Sequence, residues 1–267
     1  MELRWLGVVG LVVMLVLGLG SWQTAGEETM LPPVGSTFTF NVKTTGDKGA
    51  TASLWQDPGE GEHLETHQYM GEVEGIKGKT RSGVIEDSKS HDCVWWKVTR
   101  PDKAGFYANF YYATEDNVLY YCLEEQSSGE LKYYPNPLTM LSFPLAVGDK
   151  HQSNTTFYTN VPDTGISLAR SYESPSTTKD TIKVTVTVDG RERVSVANET
   201  FDCYKITTVF ESHTGSFITA ATTTVTMERW WSTELGYFVK EYDTVFMDAL
   251  MDSKGTVEKE LVSYSLA

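Results

Sequence analysis

One motif occurs twice in this chain, and it sets what the chain can fold into. Arg229 to Asp243 reads RWWSTELGYFVKEYD, and Tyr111 to Glu125 reads YYATEDNVLYYCLEE. In each copy an aromatic pair ends one strand (Trp230-Trp231, Tyr111-Tyr112). A Thr-Glu pair (Thr233-Glu234, Thr114-Glu115) leads into a short turn, and an apolar strand follows. Two further landmarks recur in the same order. Pro144-Leu145-Ala146-Val147-Gly148-Asp149 echoes the segment from Leu31 through Pro32-Pro33-Val34-Gly35-Ser36. Asp92-Cys93 with Trp96-Lys97-Val98-Thr99 echoes Asp202-Cys203-Tyr204-Lys205-Ile206-Thr207. The offset is about 110 to 119 residues for most landmarks, too long for a solenoid repeat. The order predicts a duplicated half-domain, with copies at about 31–134 and 144–265.

The clearest stretches alternate with period two, the signature of strands with one buried face. Phe38, Phe40 and Val42 alternate with polar residues, as do Val94, Trp96 and Val98, and again Ile182, Val184, Val186 and Val188. Trp96 is placed inward and Trp95 outward or against a neighbouring strand. Asp189-Gly190 reads as a hairpin turn and Thr114 to Asn117 as another. Leu138 to Phe143 reads as one helical turn, His151 to Lys179 as a polar loop, and Ala52 to Trp55 as a short strand. Beyond the first residues no segment has helical periodicity, and Thr222-Thr223-Thr224-Val225 is β-branched, which strands favour. The expectation is all-β: an antiparallel curved sheet, partial barrel or sandwich built from two similar half-domains.

Residues 1–25 read as a signal peptide or N-terminal anchor, with an uncharged run from Leu6 to Leu19 behind Arg4. Residues 26–33 read as a mobile linker, and 34–267 as a single β domain. An exported chain with three cysteines suggests one disulfide and a spare thiol. If the two halves meet about a pseudo-two-fold axis, Cys93 and Cys203 are equivalent, and a bridge between them is the first expectation. Cys122–Cys203 is the next, and three buried thiols the alternative. A formal net charge of −14 disfavours nucleic acid and anionic lipid as partners. Any membrane contact is expected only through the N-terminal segment, if uncleaved.

The second half carries Pro144 to Gly148, Thr200-Phe201-Asp202-Cys203-Tyr204-Lys205-Ile206, Trp231 to Lys240 and Glu260-Leu261 with Tyr264. With these it resembles a family of exported bacterial and archaeal domains of unknown function. The first half matches more weakly. That family is similar in outline to envelope lipoprotein carriers, so the resemblance implies a curved antiparallel sheet around an apolar cavity. Two features depart from it: the long 151–179 segment, and the lack of a lipid-attachment cysteine behind the apolar run.

No G-x-S-x-G, G-x-G-x-x-G or P-loop is present, and no cofactor is expected. His63-Leu64-Glu65-Thr66-His67 spaces two histidines by four. On a strand their rings stand about 13 Å apart, too far to share a metal, so the stretch reads as a solvated acidic loop. Ser176-Thr177-Thr178-Lys179 matches S-x-x-K but lies in a polar stretch without partner motifs. Neighbouring acids such as Glu124-Glu125 point to opposite faces of a strand and make no acid–base couple. Asn154 and Asn198 head glycosylation sequons. Trp95, Tyr111, Trp230 and Trp231 are the candidate ligand-binding residues, as a rim to an apolar cleft or a platform for sugars. Cross-strand aromatic ladders are the structural alternative.

The reading that follows is an exported, non-enzymatic binding domain of the cell envelope or surface, for an apolar or lipid-like ligand or an envelope component. A carbohydrate-binding or surface-interaction module with exposed coplanar tryptophans is the alternative. A hydrolase would have to assemble its site from distant strands, since none of His63, His67, His91, His151 and His213 sits in a recognisable motif.

Overall fold

The computed structural model describes residues 30–47, 61–80, 83–84, 88–127, 131–160, 181–214, 221–248 and 253–267. The segment 1–29, the expected strand at Ala52 to Trp55 and the Ser176 to Lys179 motif lie outside the described residues. In chain order the strands begin with β1 (Thr37–Gly46), β2 (Gly61–Ile76), β3 (Lys79–Thr80), β4 (Gly83–Val84) and β5 (His91–Thr99). Next come β6 (Tyr107–Glu115), β7 (Val118–Gln126), β8 (Leu131–Ser142), β9 (Lys150–Thr156) and β10 (Tyr158–Asn160). The chain ends with β11 (Thr181–Val196), β12 (Glu199–Thr214), β13 (Ala221–Ser232), β14 (Tyr237–Asp248) and β15 (Ser253–Ser265). All but β3 and β4 form one antiparallel sheet, in the order β10-β8-β7-β6-β5-β2-β1-β15-β14-β13-β12-β11-β9. The all-β expectation holds, and the described residues contain no helix.

The strand order falls into two like halves. The meander β1-β2-β5-β6-β7-β8 and the meander β9-β11-β12-β13-β14-β15 follow the same path. β1 pairs with β15 from Thr37↔Ser265 to Gly46↔Gly255, joining the start of one copy to the end of the other. At the matching seam, β8 and β9, the Thr139 amide donates to Ser153 Oγ at 3.1 Å. The sheet therefore curls into a nearly closed barrel, which removes most of the exposed edge of an open sheet.

The turns that open the two copies are built alike. The Gly35 amide donates to Tyr69 O (2.9 Å) and the Tyr69 amide to Ser36 O (3.0 Å). Their counterparts run from the Gly148 amide to Val188 O (2.8 Å) and from the Val188 amide to Asp149 O (2.9 Å). Both glycines sit at positive φ, 96° and 95°, where a side chain is strained. The aromatic hairpins match too. Each carries a register shift at its aromatic pair, Tyr111/Tyr112 in one and Trp230/Trp231 in the other.

Phe38, Phe40 and Val42, then Val94, Trp96 and Val98, then Ile182, Val184, Val186 and Val188 are all buried in their strands. All but Val98, which lines the interior cavity, belong to the main core inside the barrel. On the outer face charged residues pair across strands: Lys183 with Glu211 (2.7 Å), Lys205 with Glu228 (2.6 Å), Lys240 with Glu260 (2.7 Å). A charged outer face differs from the apolar outward band of a transmembrane barrel.

Several expectations are corrected. Asp189-Gly190 is a bulge inside β11, between Val188 and Gly190. The hairpin turn comes later, at Ala197-Asn198, both at positive φ. Leu138 to Ser142 is strand, not a helical turn, and the start of the polar 151–179 stretch forms β9 and β10. The end of the expected linker is docked: Pro32 is buried, and Met30 and Leu31 pack against the core. A Cβ at Gly236 would lie 2.9 Å from the Leu31 carbonyl carbon.

Cys93 and Cys203 do not pair; all three cysteines are buried and free. Their strands, β5 and β12, are six positions apart in the sheet order. Equivalent positions of two halves that close one barrel fall on different walls. Cys93 instead meets Cys122, with Sγ atoms 3.3 Å apart. β6 runs between their strands, so the two backbones lie about 10 Å apart by strand spacing, beyond the roughly 7 Å a disulfide spans. Burial raises the Cys203 thiol to about 12, with Asp202 and Glu192 adding to it. The Cys93 thiol, then burial, pushes the Cys122 thiol far above its usual value. The expected result is no alkylation of the native protein by iodoacetamide and alkylation of all three thiols in denaturant. A denatured, unreduced chain that takes up only one alkyl group would contradict this.

Candidate functional site

The barrel interior is not filled. It holds a cavity of about 460 Å³, within the range of small-molecule sites. One part of its wall is apolar and includes Leu119, Ile182, Ile206, Phe210 and Val225. Trp96, Tyr237 and Trp231 contribute rings, with Trp96 stacked on Tyr237 at a centroid distance of 4.0 Å. Leu31, from the docked lead-in, also lines it.

A second part of the wall is charged, and its residues come from inward positions of β2, β13, β14 and β15. Arg229 lies opposite Glu241 in the β13–β14 register, and Glu241 opposite Lys259 in the β14–β15 register. The Arg229 Nε–H donates to Glu241 Oε2. Lys259 Nζ stands 3.2 Å from Glu241 Oε1 and 3.5 Å from Glu65 Oε2. Glu65 is flanked on its own strand by His63 Nε2 at 3.1 Å and His67 Nε2 at 3.4 Å. His67 Nδ1 meets the Tyr237 hydroxyl at 2.9 Å. A chain of polar contacts thus crosses from β13 to β2 inside the barrel.

Burial and charge compete at each group. Burial alone would raise the Glu65 carboxyl. Lys259 and the two histidines outweigh it and hold that carboxyl well below its usual range. Glu241 is likewise raised by burial but held down by Arg229 and Lys259. Asp243 goes the other way: burial and the neighbouring Glu241 hold it well above the carboxylate range, against Arg229 and Lys259. Burial lowers His67, against its bond to Glu65, so its ring is neutral near neutral pH. Asp243 Oδ1 is buried and has no hydrogen-bond partner among the described residues.

The sequence candidates separate. Trp231 is buried and lines the cavity. Tyr111 is buried in a satellite cluster with Cys93, Cys122 and Tyr133, and Trp95 packs against that cluster. Trp95 and Tyr111 stack at 5.7 Å with their planes 11° apart, so Trp95 lies against a neighbouring strand. Trp230 faces the other side, with Lys205 and Lys240 ammonium groups 5.3 and 5.8 Å from its ring and its indole N–H donating to Glu192. The strands of Trp95 and Trp230, β5 and β13, are five positions apart. The sugar platform of exposed coplanar rings is therefore not formed by these two residues.

The expected solvated loop at His63 to His67 is part of β2, with Glu65 and His67 buried. Glu65 stands between the two histidines, and among the described residues no cluster of His, Cys, Asp and Glu could hold a metal ion. Asn154 and Asn198 are both exposed, on β9 and at the β11–β12 turn. Glu124 is buried and accepts from the Tyr121 hydroxyl, while Glu125 accepts from Tyr111, so the two acids do face opposite ways.

The charged wall was missed because each member read as a polar break. Parity would have found it. Val239-x-Glu241-x-Asp243-x-Val245 and Val257-x-Lys259-x-Leu261 continue the inward alternation through charged residues, and charges at core parity signal an interior network. No protein family, curated protein or solved structure matches the chain.

Proposed function

We propose that this chain is an exported, non-enzymatic binding domain of the cell envelope or surface that holds a small, largely apolar ligand inside its barrel. The observation that carries the reading is the 460 Å³ interior cavity. A barrel of this many strands is wider than the eight-stranded kind that side chains fill, and larger barrels enclose cavities. Here the apolar wall is left bare to the cavity while the outer face is charged and cross-paired. The charged wall gives the cavity an end that can orient a polar group, and the rest can take a tail. The family resemblance implied the same kind of interior, and the apolar N-terminal run supports export.

The test is a titration of the full chain with N-phenylnaphthylamine, whose fluorescence rises in apolar surroundings. The expected result is saturable binding that is lost in Thr208→Trp. Thr208 is buried and lines the cavity, so an indole there occupies the space. Overpacking of this kind typically costs about 1–3 kcal/mol of stability, and a cooperative thermal melt confirms that the variant is folded. Absence of saturable binding, or equal binding by folded Thr208→Trp, contradicts the reading.

A further inference from the structure

The cavity wall is one positive charge short. Its acids are Glu65, Glu124, Glu241 and Asp243; its permanent cations are Lys132, Arg229 and Lys259. Glu241 is bonded by Arg229 and Lys259, and Glu65 by Lys259. Lys132 stands directly across from Glu124 in the β7–β8 register. Among the described residues Asp243 has no cation bonded to it, and shares a side-chain hydrogen bond only with Glu241. It is 3% exposed, it lines the cavity, and its Oδ1 has no partner among the described residues. Its in-register neighbours are Met227 on β13 and Val257 on β15, neither of which donates a hydrogen bond.

We propose that the ligand of this cavity is a cationic amphiphile, a primary ammonium head on an apolar tail, with the head seated on the Asp243 carboxyl. This rests on the cavity reading above and names its ligand class. An ammonium supplies both the missing charge and the missing donor. A carboxylate head finds Arg229 and Lys259 already bonded and adds an anion beside Glu65 and Glu241 with no cation left to meet it. An alcohol can donate to Oδ1 but leaves the charge deficit. Aromatic lining favours a cation as well, and the net charge of −14 raises the local concentration of cationic ligands.

Without ligand the deficit is met by a proton. The groups that bear on Asp243 are Glu241 on its own strand, Arg229 on β13 and Lys259 on β15. Glu65 and His67 on β2 and Tyr112 on β6 line the same cavity. Burial and Glu241 raise the Asp243 carboxyl well above its usual range and so favour its protonated form, and burial favours an uncharged His67. Seating an ammonium lets Asp243 ionise. The proton leaves to solvent, and the ligand keeps its own charge.

The experiment is displacement of N-phenylnaphthylamine from the full chain by decylamine, decanol and decanoate, with Asp243→Asn alongside. Decylamine is expected to displace the probe at concentrations about tenfold or more below the other two. Asp243→Asn is expected to lose that preference and keep decanol binding. Calorimetry in buffers of different ionisation enthalpy is expected to show release of about one proton per decylamine. Decylamine affinity is expected to rise about tenfold per pH unit below the Asp243 pKa. Decanol or decanoate competing as well as decylamine, an unchanged preference in Asp243→Asn, or no proton release each overturns the ammonium assignment while the cavity stands. Failure of the wild-type chain to bind N-phenylnaphthylamine overturns the cavity reading itself.

Discussion

Lys259→Met is expected to destabilise the barrel by roughly 3–5 kcal/mol, the cost of leaving a buried ion pair without one partner. Lys259 is largely buried, its side chain 15% exposed, between two acids, Glu65 on one side and Glu241 on the other. Methionine keeps much of the volume, so the loss is electrostatic rather than a packing defect. The pH dependence gives the signature. Glu65 and Glu241 are held below their usual values in the folded chain. Their contribution is complete above the unfolded glutamate pKa and is lost as pH falls through the folded values. In Lys259→Met both carboxyls rise, so the variant loses less on acidification. Urea unfolding at neutral pH and again near pH 4 measures this. The gap between wild type and variant is expected to shrink at the lower pH, and Glu65→Gln in the Lys259→Met background to recover part of it. A neutral-pH loss under about 1 kcal/mol would place the group in effectively open water.

Phe38→Ala is expected to cost about 3–5 kcal/mol, against a total stability of roughly 5–15 kcal/mol for a domain. Phe38 is fully buried on β1, the strand that joins the two copies. Its ring packs on Tyr237 at 4.8 Å and Trp96 at 6.0 Å. The substitution therefore opens a hole where the hydrogen-bonded seam meets the aromatic wall of the cavity. Val34→Ala, four residues earlier at a side chain that is 63% exposed, is the control and is expected to stay within about 0.5 kcal/mol. Denaturant midpoints of the two variants decide this. A Phe38→Ala midpoint equal to that of Val34→Ala would show that the seam is not part of the cooperative core.

The strands that read cleanly from sequence, at Phe38 to Val42, Val94 to Val98 and Ile182 to Val188, are those whose inward positions are all apolar. There, period two is an adequate guide. The repeated landmarks were legible because turn glycines and paired aromatics are fixed by backbone geometry, and Gly35 and Gly148 hold nearly the same φ. Asp189-Gly190 misled because the same dipeptide that makes a tight turn also fits a bulge. The cysteines misled because equivalence in sequence was taken for nearness, whereas closing a barrel separates equivalent strands. The site was the least legible part. Whether Glu241 or Lys259 points at water or into a cavity depends on partners from β13, β15 and β2, and those follow from strand order rather than from any local pattern. Trp231 lines the cavity. Trp95, Tyr111 and Trp230 share its composition but occupy the outer face, as one step along a strand requires.

The central claim is that the interior is a binding site and not a packing defect. Native mass spectrometry of the full chain, purified without detergent and compared with the same sample after denaturation, tests it most directly. The account predicts an adduct that is present in the native spectrum, is lost on denaturation, and is absent from Thr208→Trp. A native mass equal to the denatured mass, in a sample that also fails to take up N-phenylnaphthylamine, would contradict it.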